Sequence, residues 1–352
     1  MMRRTLLRWL AAGAGAATLP RAALAAPPRF DALSRPALRS AKAAQATMLA
    51  ITSAGDRLVA VGERGIVLLS DDDAATWRQA EVPVGVALTA VRFVDARRGW
   101  AAGHLGVVLT TTDGGEHWTL QLDGLRAAQL ALQAADGDSK ARAAAQALVD
   151  DGPDKPLLDL FFTSTQTGYA IGAYGLAFRT DDGGAHWRAW MSRVPNPKGL
   201  HLYAMCATAG ALYIAGEQGL LLRSTDGGQQ FAPLVSPSKG TFFGVVSGSE
   251  GELMLHGLRG RAFRSDDAAQ SWTEIDTATR ASLCVGARLA DGSWLLASQG
   301  GELMRSRDGG HSFKAIAADT ASPVNALTQT ASGRLALATL RGVRRVDLTA
   351  TS

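Results

Sequence analysis

Short apolar runs, each four to eight residues long and bounded by glycine or acidic turns, recur along this chain in a fixed order. Residues 88–122 hold one complete cycle: LTAVRFVD, then GWAAG, VVLTT and WTLQL. Runs of this length between turn residues predict strands rather than helices. The turn between the second and third runs is a Gly-x-x-Gly, as in WAAGHLGVVLT, YAIGAYGLAFR and YIAGEQGLLLR. Its second glycine recurs as Gly65, Gly106, Gly175, Gly219, Gly260, Gly301 and Gly342. The chain therefore holds seven units.

A second motif follows the third run in six of the units: SDDDAATW, TTDGGEHW, TDDGGAHW, STDGGQQF, SDDAAQSW and SRDGGHSF. Its aspartates are Asp72, Asp113, Asp182, Asp226, Asp267 and Asp308, spaced 41, 69, 44, 41 and 41 apart. At a hairpin between the third and fourth strands, the Asp and Ser/Thr bond turn amides. Glycine there supplies positive φ, and the aromatic packs between units. A feature repeated six times serves folding better than catalysis. Calcium is the rival reading, but the further acids and the downstream glutamate of a calcium loop are missing. No metal is expected.

Four strands in about 40 residues is the size of a propeller blade. Residues 26–352 are expected to form one all-β, seven-bladed propeller, whose closed ring leaves no long exposed edge. The seventh unit, LALATLRGVRRVD, stops after its third strand. RFDALSRPAL, residues 29–38, is expected to supply the fourth, clasping the two ends of the ring. The 69-residue spacing predicts an insertion at 123–156 between blades two and three. There LRAAQLALQAA and SKARAAAQALV carry helical spacing on either side of Asp-Gly-Asp. A helical hairpin follows, with Leu125, Leu130 and Leu132 expected mainly to pack on the parent fold.

Composition changes the picture once the first 25 residues are set apart. They carry an arginine pair (Arg3-Arg4), a weak Ala/Gly/Leu stretch and a small-residue site at Ala23-Leu24-Ala25. That is a cleavable export signal resembling the twin-arginine type, which implies a periplasmic or secreted protein. The stretch is too short and glycine-rich to span a membrane. The formal charge of +4 lies wholly in this segment, through Arg3, Arg4, Arg8 and Arg21. The rest of the chain is balanced, which argues against nucleic acid as a partner. Cys206 and Cys284 are too few for a disulfide framework. They are read as buried small apolar residues.

FVDARRGWAAGHLGVVLTTTDGGEHW, residues 93–118, resembles the repeating unit of the photosystem II stability/assembly factor-like family of Asp-box (bacterial neuraminidase repeat) β-propellers. A Gly-Trp opens the second strand and Asp-Gly-Gly closes the blade. The resemblance implies a non-enzymatic propeller without cofactor that binds membrane protein complexes or their assembly intermediates. One copy of the ring is expected to act alone.

In this strand order the Gly-x-x-Gly turns and the connections between blades share one face, opposite the Asp motifs. The scaffold repeats there while the turn residues vary, which marks a recognition surface. Its candidate partner-binding residues are Glu63, Arg64, His104, Tyr174, Glu217, Gln218, Arg259, Gln299 and Arg341. A carbohydrate-active alternative, lectin or sialidase-like hydrolase, draws on the same face. Arg64, Arg259 and Arg341 would hold a substrate carboxylate, and Tyr174 with Glu63 or Glu217 would attack. The Phe/Tyr-Arg-Ile-Pro element of sialidases is absent, no aspartate stands in the turn ring, and no catalytic residue is assigned.

Overall fold

A computed structural model describes residues 30–208, 210–316 and 322–348. The export signal read at 1–25 lies outside them. The apolar runs form seven antiparallel sheets, each a meander with its strands in sequence order, and together a seven-bladed propeller. The first strand of every blade is innermost. Met48–Ala54, Leu88–Phe93, Leu157–Phe162, Leu202–Thr208, Phe242–Ser247, Leu283–Arg288 and Val324–Gln329 stand side by side, with the seventh against the first. Second strands are covered on both faces, which explains unbroken apolar runs such as Gly99–Gly103, buried at every position. The outermost strands are stubs, down to two residues at Arg78–Gln79 and Ala232–Pro233. Short edges carrying proline offer little template for further strand pairing.

The cores lie between blades. Trp100 of blade two stacks on Phe162 of blade three at 3.6 Å, and Trp187 meets the same ring edge-on at 6.3 Å. Each fully buried ring of this kind stabilises the fold by about 1.5–3 kcal/mol.

The Asp motif closes the third-to-fourth-strand hairpin in the same way six times. In blade two, Thr111 Oγ1 donates to Asp113 Oδ1 at 2.8 Å. Gly115 N then donates to Thr111 Oγ1 at 3.0 Å, and His117 N to Asp113 Oδ1 at 3.1 Å. The equivalent bonds recur around Asp72, Asp182, Asp226, Asp267 and Asp308. Blades one and five have no glycine pair here, yet Asp73, Ala74, Ala268 and Ala269 keep φ between 57° and 68°.

The hairpin so formed is also a blade-to-blade anchor. The carbonyl of the residue after the aspartate accepts from the preceding blade in five cases. Donors are Arg57 to Gly114, Trp100 to Gly183, Tyr169 to Gly227, Tyr213 to Ala268 and Arg264 to Gly309. Blade one does this job with a side chain: the Asp73 carboxylate accepts from Ser332 and Arg334 of blade seven.

The expected clasp takes a different form. Among the described residues the seventh blade has three strands, ending with Gly342–Val346. The segment expected to supply the fourth makes a short helical turn, Asp31–Ser34, and runs along blade one. There Gly85 N donates to Ala32 O, and Ala37 N to Val82 O. Pro36 has no N–H for a ladder, and Ala32, Leu33 and Ala37 gain more by covering the core shared by blades one and two. The ring closes instead through side chains. Asn325 Nδ2 donates to Met48 O at 2.8 Å and Thr47 Oγ1 to Leu340 O at 3.3 Å, while the turn Ala43–Gln45 lies on the last strand.

Residues 123–156 carry the helices Gly124–Ala134 and Ser139–Asp151, N-capped by Asp123 and Asp138. Alanines 127, 128, 131 and 145 are buried between the helices and the blades. Leu130 is half-buried against the core of blades two and three, and Leu132 against the hairpin's own alanines beside Met191, whereas Leu125 stays 43% exposed.

Candidate functional site

The Gly-x-x-Gly turn is built by close approach. The first amide after the second strand donates to the carbonyl just before the inner strand in all seven blades, at 2.7–3.4 Å, as from Glu63 to Thr47. A side chain at Gly62 would start 2.1 Å from that Thr47 carbonyl, and one at Gly65 2.0 Å from Val84 O. Ser298 and Thr339 replace the first glycine in blades six and seven. Every turn tip is thus pinned beside the channel mouth.

In the first five blades the third residue of the turn is a non-glycine held at φ 53–60°: Arg64, Leu105, Tyr174, Gln218 and Arg259. Left-handed backbone costs such residues about 1–2 kcal/mol each. Leu105 is half-buried against the core shared by blades one and two. Arg64, Tyr174, Gln218 and Arg259 are exposed, as are His104, Gln299 and Arg341 elsewhere in the turn ring.

The two acids turn inward instead. Glu63 Oε1 accepts from Thr47 N at 3.2 Å and Glu217 Oε2 from His201 N at 3.1 Å, so both staple their own turn to the incoming strand. Arg64, Arg259 and Arg341 stand on blades one, five and seven, and none has an acidic partner among the described residues. Tyr174 packs on His201 at 4.9 Å under the Lys155 ammonium, and among the described residues no carboxylate bonds its hydroxyl. The sialidase constellation is not assembled by these side chains. No group of three His, Cys, Asp or Glu among the described residues is placed to hold a metal.

The inner strands carry a feature that reading the turns alone missed. All seven have a β-bulge next to their first residue. The extra residues are Leu49, Thr89, Leu158, Tyr203, Phe243, Cys284 and Asn325, and all seven line the central channel, a cavity of about 250 Å³. A bulge re-aims its side chain. Each of these residues stands thirteen or fourteen positions before the first residue of its turn, so stacking the repeats on that turn would have found the column.

Deeper in the channel, burial pushes the Asp159 carboxyl above its usual range, and Arg92, 3.9 Å away, pulls it back. Burial also pushes the Cys206 thiol up to about 12 and lowers His256 to about 4, so both are neutral near pH 7. Cys284 is half-buried at the bulge column rather than in the core. On the opposite face, Glu116 bonds Arg78 and pairs with Arg57, so it is part of the scaffold there.

Three comparisons bear on this geometry. A family model described as photosynthesis system II assembly factor YCF48 matches residues 138–342. The photosystem II assembly lipoprotein Ycf48 of Synechococcus sp. (strain CC9902) is 37% identical over 82 residues, 23% of this chain and 25% of that protein. The chain thus spans about a quarter of the length of this curated relative. A solved structure of YCF48 bound to D1 peptide superposes with a TM-score of 0.65 at 16% identity, over 91% of this chain and 99% of that one. A streptogramin B lyase superposes at 0.69 with 13% identity, over 87% and 95%. At such identities the likeness is one of fold, shared by assembly factors and enzymes alike.

Proposed function

The chain belongs to the photosynthesis system II assembly factor YCF48 family, and from that premise we propose that it is a non-enzymatic accessory factor for the assembly of a membrane protein complex. It acts on the exported side of the membrane, as the signal read at residues 1–25 implies, and takes its partner on the Gly-x-x-Gly face as a single ring. No helix among the described residues is long and apolar enough to cross a membrane.

One observation carries the reading. Among the described residues the exposed large apolar side chains gather on this face. Tyr174, Leu258 and Leu340 stand in the turns, and Leu125, Val149 and Val235 in connections between blades; Leu38 follows Ala37, which packs beside Gly65. Val235 is 89% exposed. The hairpins of the Asp-motif face carry none of this set. Exposed apolar groups interspersed with unpaired arginines mark a protein-binding surface.

The test is capture from crosslinked envelope fractions. Wild-type protein is expected to retain a membrane protein complex, and a Tyr174→Ala, Leu258→Ser, Leu340→Ser variant to lose it while melting normally. Equal capture by both proteins would remove this face as the working surface.

A further inference from the structure

We propose that the channel mouth on the Gly-x-x-Gly face is a binding site for one uncharged aromatic side chain presented by an extended segment of the partner. The inference rests on the partner reading above for the choice of face, and adds what that face selects.

Four rings form a continuous arc from the surface into the mouth. Exposed Tyr174 lies 4.9 Å from His201, which lies 6.1 Å from Tyr203, which meets Phe243 at 5.4 Å and 83°. Tyr203 and Phe243 are the bulge residues of adjacent blades, so the backbone irregularity places both rings in the channel. Rings set edge-to-face leave a further face and edge for a third ring to complete. The opposite side of the column is closed: Thr89 donates to Leu157 O at 2.7 Å and Asn325 to Met48 O at 2.8 Å, each across to a neighbouring blade.

Size and charge narrow the occupant. The cavity of about 250 Å³ falls below the roughly 300–1,000 Å³ usual for small-molecule sites, and suits one side chain. Arg64, Arg259 and Arg341 on the rim have no acidic partner among the described residues, but the ionisable groups inside the rim face one another. Arg92 faces Asp159 at 3.9 Å, Lys155 pairs with Asp151 and Asp154, and His201 Nδ1 lies 3.2 Å from Glu217. An ion that passed the arginine rim into the cavity would lose water without gaining an uncompensated partner there. A neutral ring gains the arc and forfeits nothing. The Tyr203 hydroxyl, which has no hydrogen-bond partner among the described residues, is left to meet the polar edge or backbone of what enters.

N-acetyltyrosinamide serves as the probe, read by saturation-transfer NMR on the full protein. Transfer is expected to be strongest at the ring protons, saturable, and competed by N-acetylphenylalaninamide but not by N-acetyllysinamide. Replacing Tyr203 and Phe243 by leucine keeps the apolar filling and removes the arc; it is expected to weaken binding about five-fold. Cys284→Trp, which fills the mouth and leaves both rings in place, is a second route to the same loss. Unchanged ring transfer in a folded variant of either kind, or equal competition by the lysine amide, overturns the proposal. Failure here with envelope capture intact removes the pocket and leaves the face; amide binding with capture indifferent to the face removes the partner reading instead.

Discussion

Asp73 and Arg334 stand 261 positions apart in the chain and 2.9 Å apart in space, joining the first blade to the last. Ser332 bonds the same carboxylate through its hydroxyl and its amide. The hydroxyls of Ser332 and Thr330, then Arg334, hold the Asp73 carboxyl well below the usual carboxylate range. Among the described residues the last blade has three strands and exchanges none with the first, and this contact joins the two across the seam. Asp73→Ala is expected to cost about 1–2 kcal/mol in urea unfolding. Arg334 also bonds Asp347, so the double change Asp73→Ala with Arg334→Gln should cost less than the sum of the two single changes; fully additive losses would mean that the two groups are not coupled across the seam.

Asp113→Ala removes the acceptor that organises the hairpin of blade two, and is expected to cost about 1–3 kcal/mol. Stability measured with and without calcium should coincide for wild type and variant alike. A wild-type melting temperature raised by calcium, and lost with this substitution, would restore the metal reading.

Ala268 keeps the left-handed backbone that glycine adopts in the sister motifs, at φ 57°. Its carbonyl accepts from Tyr213 and Arg223 in any residue type. Ala268→Gly is therefore expected to stabilise the protein by about 0.5–1 kcal/mol, relief of strain outweighing added chain entropy. Differential scanning calorimetry decides the sign.

The Asp motifs predict an acid limit. Hydrogen bonds from the Ser271 hydroxyl and amide, with Ser265, lower the Asp267 carboxyl from 3.8 to about 2. Burial raises Asp113, but bonds from His117 and Thr111 outweigh it and bring that group to about 2 as well. Folded pKa values below unfolded ones mean a contribution fully present above pH 3.8 and lost as pH falls through about 2. Melting temperature should hold from pH 7 down to about 4 and then drop, less steeply in Asp267→Asn. An equal slope in that variant would assign the acid limit to other groups.

Charge reversal of Arg64, Arg259 and Arg341 tests the face without touching its fold, since none of the three holds an ion pair among the described residues. Partner affinity is expected to fall about tenfold or more. Stability should stay within about 0.5 kcal/mol, as for exposed positions generally. Asp56→Lys and Glu250→Lys, exposed in turns on the opposite face, are the matched control. Losing affinity with the control set and keeping it with the arginine set would move the binding surface across the ring.

The sequence alone determined the parts of this protein that repeat. Strand length, the two turns and their period follow from local rules, and a rule used seven times is legible in one chain without any contact map. The helices at 124–151 were equally readable, because helical spacing and capping aspartates are local. What happens once was not readable. The segment before blade one resembles the missing strand in length, yet Pro36 and the open core beside Val82 and Val84 draw it elsewhere. The seam needed Asp73 to find Ser332 and Arg334 across the ring. Glu63 and Glu217 are candidate binding residues by their place in the turns, and only the folded chain brings the amides of Thr47 and His201 within their reach. The channel column lies between these cases: its spacing is written in every repeat, but only the inner-strand bulges, set by pairing with the second strand, turn Tyr203 and Phe243 toward one another.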